Sequence, residues 1–246
     1  MRNLTLLLVL FLVTSCVPDF MKEEEKAKKD ENFFRAYYPD GTLKTEVPIE
    51  NKKKNGLAKN FYQDGTLRQS IEYVNGYKHG EAKTFYENGK PYQISRYEYG
   101  KLHGIRERYH KNGNLMSEVP YFEGKPTTGL KEYLLDGSLK KKYPHLVVTE
   151  RDQLMQNGKF IVELNVSNGN RRVEYYVTAL DENGAIPDGA PKLEGNGKGK
   201  ANMEFPVPPG MFIMKEVPIV AEITTLQGNS YFIQHTHNIS VENRNR

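Results

Sequence analysis

The sequence has 246 residues, with 35 Lys and Arg against 31 Asp and Glu, which gives a formal net charge of +4. Its single cysteine, Cys16, excludes an intrachain disulfide. The positive charge is concentrated in residues 41–144, where 19 Lys and Arg face 12 Asp and Glu. Such a segment suits an anionic surface, although lysines that protect exposed strand edges give the same composition.

The first 15 residues predict a targeting segment and not part of the fold. Arg2 supplies a positive charge, and the apolar run over 4–13 is too short to span a bilayer as a stable helix. The stretch 13–16 (Val-Thr-Ser-Cys) resembles a bacterial lipobox, in which the cysteine is lipidated and becomes the mature N-terminus. We therefore predict a lipoprotein signal peptide over 1–15 and lipidation of Cys16. The alternative is an ordinary secretory signal that ends near a cysteine.

Residues 16–32 are rich in charge and poor in apolar side chains, so we predict a disordered tether. The acidic residues soon after Cys16 also resemble surface-export signals of lipoproteins in some Gram-negative lineages, which is the alternative to a plain spacer. The lipobox resemblance implies a lipoprotein of the bacterial cell envelope, anchored in a membrane by its lipid. We favour an anchor in the outer membrane, with the protein facing either the periplasm or the cell surface. Nucleic acid is not an expected partner of such a protein.

An internal repeat with a period of 24 residues begins at residue 37. Its marker is an Asx-Gly pair at constant spacing: Asp40-Gly41, Asp64-Gly65, Asn88-Gly89, Asn112-Gly113 and Asp136-Gly137. An aromatic residue lies four positions before each glycine, and apolar residues recur two, six and eight positions after most of them. A fixed period on this scale indicates a repeat architecture.

Each repeat predicts a β-hairpin. Asx-Gly between short apolar runs favours a tight turn, because glycine readily adopts the positive φ that the turn needs. A second glycine turn, as at Gly76, leaves two strands per repeat. Positions two, six and eight, such as Leu67, Ile71 and Tyr73, share one parity, so we expect them on one face. A lone hairpin is only marginally stable, so the hairpins should pack on one another as an elongated antiparallel meander.

The stretch 37–143 resembles the MORN-repeat variant family, whose units combine an aromatic residue, Asn-Gly, a Leu, a Tyr and a Gly-Lys-x-x-Gly segment. Residues 100–104 (Gly-Lys-Leu-His-Gly) match that segment closely, and residues 76–80 nearly do. The chain has no Trp, which the founding MORN repeats usually carry, so the variant form fits better. The resemblance implies a repeat domain over 33–144 and is a poor guide to activity.

The pattern changes at His145, where the 24-residue markers end and longer alternating runs begin. Alternation predicts strands within 146–149, 160–166, 173–179, 201–207, 217–223 and 231–241. Turn residues such as Asn157-Gly158 separate them. About 100 residues with six or seven alternating strands predict an immunoglobulin-like β-sandwich over 145–243.

Histidines are the residues that suggest metal chemistry. His79 and His103 recur 24 residues apart and would share a metal if stacked hairpins brought them together, but a loop residue fixed by the repeat is the simpler interpretation. His235 and His237 share one face of a predicted strand, with no carboxylate or cysteine nearby in the sequence. The sequence contains no catalytic motif, and we expect no catalytic residue, cofactor or metal site.

The sequence is compatible with three functions. The favoured one is a lipid-anchored, non-catalytic binding or scaffolding module, which contacts a protein or an anionic envelope component through its repeat sheet and sandwich loops. Its support is the lack of catalytic motifs and the presence of 16 Tyr, a residue favoured at interfaces. The second is an antitoxin-like partner of a toxic protein, because chains with such repeats are often labelled antitoxins. The third is an enzyme acting on envelope glycans, which is supported only by the histidine pairs.

Overall fold

The structure of the protein, a computed structural model, describes residues 28–30 and 32–244. The predicted signal peptide over 1–15, Cys16 and residues 17–27 of the predicted tether lie outside the described residues. The described part of the chain is all-β apart from one four-residue helix. Within it, no helix has the length and apolar character needed to cross a membrane.

The repeat forms one antiparallel sheet of 13 described strands. They are β1 (Lys28–Asp30), β2 (Phe33–Tyr37), β3 (Leu43–Glu50), β4 (Lys53–Lys54), β5 (Gly56–Phe61), β6 (Leu67–Val74), β7 (Tyr77–Phe85), β8 (Pro91–Glu98), β9 (Lys101–Leu102), β10 (Gly104–Tyr109), β11 (Leu115–Phe122), β12 (Lys125–Pro126) and β13 (Lys131–Glu132). The sheet order is β1-β2-β3-β5-β6-β7-β8-β10-β11-β12, and the short β4, β9 and β13 pair with β3, β8 and β11. This order confirms the predicted elongated meander of hairpins.

The start of the sheet differs from the prediction. The predicted tether over 16–32 includes Lys28–Asp30, but these residues form β1 and pair with β2, with Lys28 opposite Arg35. A fully disordered tether is therefore wrong for this segment. The physical reason is that the unpaired backbone N–H and C=O groups of an edge strand accept a further strand whatever the polarity of its side chains.

The first turn of each repeat is a three-residue loop that ends on glycine. In the first repeat the Gly41 N–H donates to the Tyr38 carbonyl at 2.9 Å, and the Tyr38 N–H donates to the Thr42 carbonyl at 2.8 Å. The Asp40 carboxylate accepts a hydrogen bond from the Thr42 N–H at 2.9 Å, which fixes the turn locally. The five marker glycines all have positive φ, between 76° and 96°. These angles confirm the hairpin assignment.

Replacing Gly65, Gly89 or Gly113 with Val should lower the free energy of unfolding by about 1 kcal/mol or more, and by a similar amount at each site. A Cβ at Gly65 or Gly89 meets no heavy atom within 4 Å, so the loss comes from the backbone conformation and not from a clash. Urea unfolding followed by Tyr fluorescence measures it, since the chain has no Trp. Gly195→Val, at an exposed glycine without positive φ, is the control and should cost less. Unequal losses at the three turns would contradict a regular repeat.

The second turn of each repeat is a two-residue loop in which both central residues have positive φ, as in type I′ turns. Asn75 and Gly76 have φ of 51° and 90°. Asn51 and Lys52 have φ of 49° and 63°, so the first repeat forms the same turn without glycine. Since this turn type follows the right-handed twist of the flanking strands, the meander stays regular from the first repeat onward.

A β-bulge in every hairpin decides which side chains share a face. In the second repeat Asn60 pairs with Gln69 while Phe61 pairs with Leu67, which leaves Arg68 as the extra residue. The extra residues of the equivalent bulges are Lys44, Tyr92 and Met116. The bulge turns the residue at position two toward the face of its aromatic partner, opposite to positions six and eight. The expectation that positions two, six and eight share one face is therefore wrong for position two.

The two faces of the repeat sheet differ in composition. We call the face that carries positions six and eight the front face; its rows are Val47, Ile71, Ser95, Val119 and Ile49, Tyr73, Tyr97, Tyr121. The opposite side, the back face, carries the aromatic and leucine pairs such as Phe61 and Leu67. Burial raises the pKa of Tyr97, the charge of Arg106 opposes this rise, and the neighbouring Tyr73 and Tyr121 add to it. The strand register, in which each of the three tyrosines pairs with a closing glycine, places them in one row on one face.

The second unit of the chain is a β-sandwich. Its elements are β14 (Leu146–Gln153), α1 (Leu154–Asn157), β15 (Lys159–Val166), β16 (Val173–Tyr176), β17 (Ala201–Pro206), β18 (Phe212–Thr224) and β19 (Ser230–Glu242). Sheets β14-β15-β17 and β16-β18-β19 share one buried core, which joins Val162 and Leu164 to Tyr175, Ile219 and Ala221. This order matches the A-B-E and C-F-G strands of an immunoglobulin fold, with the loop over 177–200 in place of strand D.

Candidate binding surface

A row of cations paired with aromatic rings runs along the front face beside the second turns. Three pairs follow one another: Lys54 with Tyr73, Lys78 with Tyr97 and Arg106 with Tyr121. The cationic atom lies 5.0, 5.0 and 4.9 Å, respectively, from the ring centroid. Such a pair stabilises by about 0.5–1 kcal/mol at an exposed site. The first two pairs are equivalent by the 24-residue period, whereas in the third the cation is Arg106 on β10 and Leu102 stands at the lysine position.

The glycine that closes each repeat lies opposite a tyrosine of this row. Gly56, Gly80 and Gly104 are the strand partners of Tyr73, Tyr97 and Tyr121, respectively. All three glycines have positive φ, which side chains other than glycine rarely adopt. A Cβ at Gly80 would meet the side chain of Glu72, which lies on the back face, so the missing side chain leaves space on the back face and not beside the tyrosine ring.

A row of neutral polar side chains runs parallel to the tyrosines. The Thr45 hydroxyl donates to Asn60 Oδ1 at 2.8 Å, Asn60 Nδ2 donates to Gln69 Oε1 at 3.1 Å, and Gln69 Nε2 donates to Thr84 Oγ1 at 3.4 Å. Gln93 continues the row opposite Thr84. These side chains are half-buried. Each amide has two N–H donors and an acceptor oxygen, so the row retains hydrogen-bonding capacity beyond these contacts.

A second aromatic column ties successive repeats together. The hydroxyls of Tyr38, Tyr62 and Tyr86 donate to the backbone carbonyls of Phe61, Phe85 and Tyr109 in the following repeat, at 2.8, 2.7 and 2.8 Å. The Tyr86 ring also lies 5.2 Å from the ring of Tyr92, the extra residue of its bulge. The three tyrosines recur with the 24-residue spacing, but the sequence does not reveal the column, because the acceptors are backbone carbonyls.

A cleft of about 390 Å³ opens between first turns of neighbouring repeats. It is lined by Tyr62, Tyr86, Glu87, Asn88 and Lys111. The position two before the turn glycine changes from repeat to repeat: Pro39, Gln63, Glu87, Lys111, Leu135. This edge of the sheet therefore lacks the regular chemistry of the front face.

The carboxylates of the repeat strands are segregated onto the back face. The strand register places on it Glu46, Glu50, Glu72, Glu81, Glu98, Glu107 and Glu118. They are partly neutralised there, for example by Arg35, whose Nε lies 2.8 Å from Glu46 Oε2. Among the described strands, the front face carries one carboxylate, Glu132, which pairs with Ser117. The rest of the front face is neutral or positive.

The sandwich docks on the front face of the last repeat through the turn between β18 and β19. Asn229 Nδ2 and Thr225 Oγ1 donate to Glu132 Oε1 at 2.9 and 2.5 Å. From β10, on the other side of β11, Arg108 Nη2 donates to the Gln227 carbonyl at 2.6 Å and to Asn229 Oδ1 at 2.7 Å. The junction therefore combines a buried carboxylate, an arginine and a polar turn. The turn lies about a hundred residues further along the chain than the two charged residues that it contacts.

The Glu132 carboxylate is fully buried but remains ionised. Burial by itself would raise its pKa, and this is the largest single effect. The hydrogen bonds from Lys140, Thr225 and Asn229, with the charge of Lys140 at 2.6 Å, outweigh burial and hold the pKa below its ordinary value. A buried charge is tolerated here because it is both paired and hydrogen-bonded.

Two further contacts fix the sandwich against the last repeat. The Tyr143 and Tyr231 rings stack with centroids 4.5 Å apart. On the other side of the turn, the Thr128 N–H donates to the Gly184 carbonyl at 3.0 Å, in the loop that replaces strand D. The domains are thus joined at several separate points and not only through the connecting chain.

The histidines do not assemble into a metal site in the described residues. The rings of His79 and His103 pack against Tyr99 and Phe122, with centroids 5.2 and 5.1 Å apart. His235 and His237 are neighbours, with centroids 6.0 Å apart, and His237 Nε2 lies 3.0 Å from Glu150 Oε1. Over residues 28–30 and 32–244, no group of three or more His, Cys, Asp or Glu is placed to hold a metal ion.

The sheet defines a protein built from β-hairpin repeats. Three consecutive segments, residues 54–75, 78–99 and 102–123, match the family model described as the MORN repeat variant. These segments are therefore MORN repeat variants, which confirms the resemblance. MORN repeats generally form non-catalytic modules, and they suggest binding or scaffolding.

One similar solved structure is a mutant of S. aureus TarM in complex with fondaparinux, alpha-GlcNAc-glycerol and UDP. It aligns with 16% sequence identity and a TM-score of 0.29, over 41% of this chain and 20% of the TarM chain. A similarity at this level carries no argument about fold or activity. No curated protein matches the sequence.

Proposed function

We propose that this chain is a lipid-anchored, non-catalytic binding or scaffolding protein of the bacterial cell envelope, with the outer membrane as its favoured site. The observation that carries the proposal is the front face, where two successive repeats each offer a lysine beside a tyrosine ring, with a neutral polar row parallel to them. A pattern that recurs along one sheet suits the recognition of an extended partner. The MORN repeat variants support a binding or scaffolding role.

The junction with the sandwich supports the scaffolding part of the proposal. Because Glu132 and Arg108 hold the turn over 225–229, the repeat sheet and the sandwich loops keep a fixed arrangement. A partner that touches both units would find its two contact areas already in place, which lowers the entropic cost of binding. The partner is a protein or an anionic component of the envelope.

Replacing Cys16 with Ser should release the protein from membranes or leave it as an unprocessed precursor. The reason is that the lipid is attached through the cysteine thiol, and acyl chains contribute about 0.8 kcal/mol of membrane binding per buried CH₂. Cell fractionation and the mass of the mature protein measure the effect. Ser15→Ala, which keeps a small residue before the cysteine, is the control and should stay anchored. Normal processing and membrane retention of Cys16→Ser would refute the anchor.

Affinity purification from envelope extract tests the binding role. The full-length protein should retain a protein or an anionic envelope component, and substitutions on the front face should weaken this retention. Recovery of a single stoichiometric toxic protein would instead favour the antitoxin-like alternative. Turnover of an envelope glycan by the purified protein would contradict the non-catalytic assignment.

A further inference from the structure

We propose that the front face binds an extended anionic polysaccharide that carries one carboxylate per disaccharide. The proposal rests on the proposed function, because it names the ligand class of the same surface. The polymer would lie across the strands and follow the row from Tyr73 to Tyr97, up to the last repeat, where Arg106 beside Tyr121 contacts Asn229 of the sandwich.

The spacing of the row is the first argument. Each repeat adds two strands, and neighbouring strands are about 4.8 Å apart, so equivalent tyrosines recur about every 10 Å along the sheet. An extended disaccharide unit has this length. A polymer with a disaccharide repeat therefore meets the same side chains in register at each repeat, without bending.

The chemistry of each pair is the second argument. The face of a pyranose ring is apolar and packs on an aromatic ring, while its hydroxyls need hydrogen-bonding partners. The Tyr97 ring supplies the first contact, and its phenol hydroxyl can donate or accept a hydrogen bond. The Lys78 ammonium, 5.0 Å from the ring centroid, lies where it would meet the carboxylate of a stacked acidic sugar.

Charge complementarity selects an anionic ligand. The back face holds the strand carboxylates, and the one on the described front face, Glu132, is buried and paired with Lys140. A polyanion on the front face thus meets lysines and no free carboxylate from the strands. An acidic peptide offers the same charge but lacks flat apolar ring faces for the tyrosines, which favours the polysaccharide as occupant.

The test uses the purified full-length protein in detergent and a polymer of alternating glucuronic acid and N-acetylglucosamine as the probe. The front variant carries Lys54→Gln and Lys78→Gln. The matched control carries Lys59→Gln and Lys83→Gln, two back-face lysines with the same 24-residue spacing and the same change in net charge. Calorimetric titration should show at least tenfold weaker binding for the front variant and less than a twofold change for the control.

A second pair of variants separates stacking from charge. Tyr97→Leu should weaken binding severalfold, whereas Tyr99→Leu, at a tyrosine that is 76% exposed on the second turn, should not. Thermal unfolding confirms that each variant is folded. Equal losses in the front and back variants would overturn the proposal. So would binding of polyglutamate or of anionic lipid vesicles as tight as that of the polysaccharide.

Failure of this proposal is distinguishable from failure of the proposed function. If the protein binds no polysaccharide, yet Cys16→Ser leaves the membrane and envelope extract yields a specific partner, only the ligand class is wrong. If Cys16→Ser stays anchored while the polysaccharide binds to the front face, the anchor is wrong and the ligand class stands.

Discussion

Replacing Leu164 with Ala should lower the free energy of unfolding of the sandwich by about 3 kcal/mol, within the range seen for buried leucines in cores. Leu164 lies on β15, has no exposed surface, and packs in the core shared by the two sheets. The loss has two parts, which are the transfer of the side chain out of water and the cavity left behind. Urea unfolding followed by Tyr fluorescence measures it.

Leu226→Ala is the matched control for this prediction. Leu226 is 94% exposed in the turn between β18 and β19, so the same truncation should change stability by less than about 0.5 kcal/mol. A comparable loss at both leucines would mean that the sandwich core does not include β15 as described.

Replacing Glu132 with Ala should destabilise the docked arrangement by about 2–3 kcal/mol, because it leaves Asn229, Thr225 and Lys140 without their shared acceptor. Amide hydrogen exchange should then rise across the turn over 225–229 before it rises in the sandwich core. Glu123→Ala is the control, since Glu123 is an exposed carboxylate with a long 3.5 Å contact to Lys101. Unchanged exchange at the turn would show that Glu132 does not hold the domains together.

The same carboxylate gives the junction a defined pH dependence. The pKa of Glu132 is lower in the folded protein than its ordinary value, so its contribution is fully present above the unfolded pKa of about 4.3. It is lost as the pH falls through the lower, folded-state pKa. The parent protein should therefore lose stability on acidification in this range more steeply than Glu132→Ala, in denaturation curves recorded at successive pH values.

Local chemistry was sufficient to predict the repeat and its turns. Asp64-Gly65 and its equivalents determine the first turn, because positive φ at glycine and the side-chain oxygen of the Asx residue act within a few residues. The alternation along residues 159–166 predicts β15 for the same reason, since a strand alternates its side chains whatever its partner is. These features depend on neighbours in the sequence, and the structure confirms them.

The distribution of side chains between faces required pairing information. Leu67 and Ile71 are four residues apart and have one parity, yet the bulge at Arg68 places them on opposite faces. A bulge forms between two strands, so the sequence of one strand does not reveal it. The hydroxyl of Tyr62 illustrates the same limit, because its acceptor is a backbone carbonyl, which every residue possesses.

The domain junction depended entirely on the tertiary structure. In the sequence Glu132 is one acidic residue among many, next to Lys131 and close to Asp136, and nothing distinguishes it from a solvated carboxylate. Its burial follows from the packing of Thr225 and Asn229, 93 and 97 residues further along the chain, onto the sheet. The chain's own alternation and turn residues thus determine which hairpins and strands form. Glu132 is removed from water only when the folded sandwich packs on the folded repeat sheet. Its charge is tolerated there because donors from distant parts of the chain converge on it.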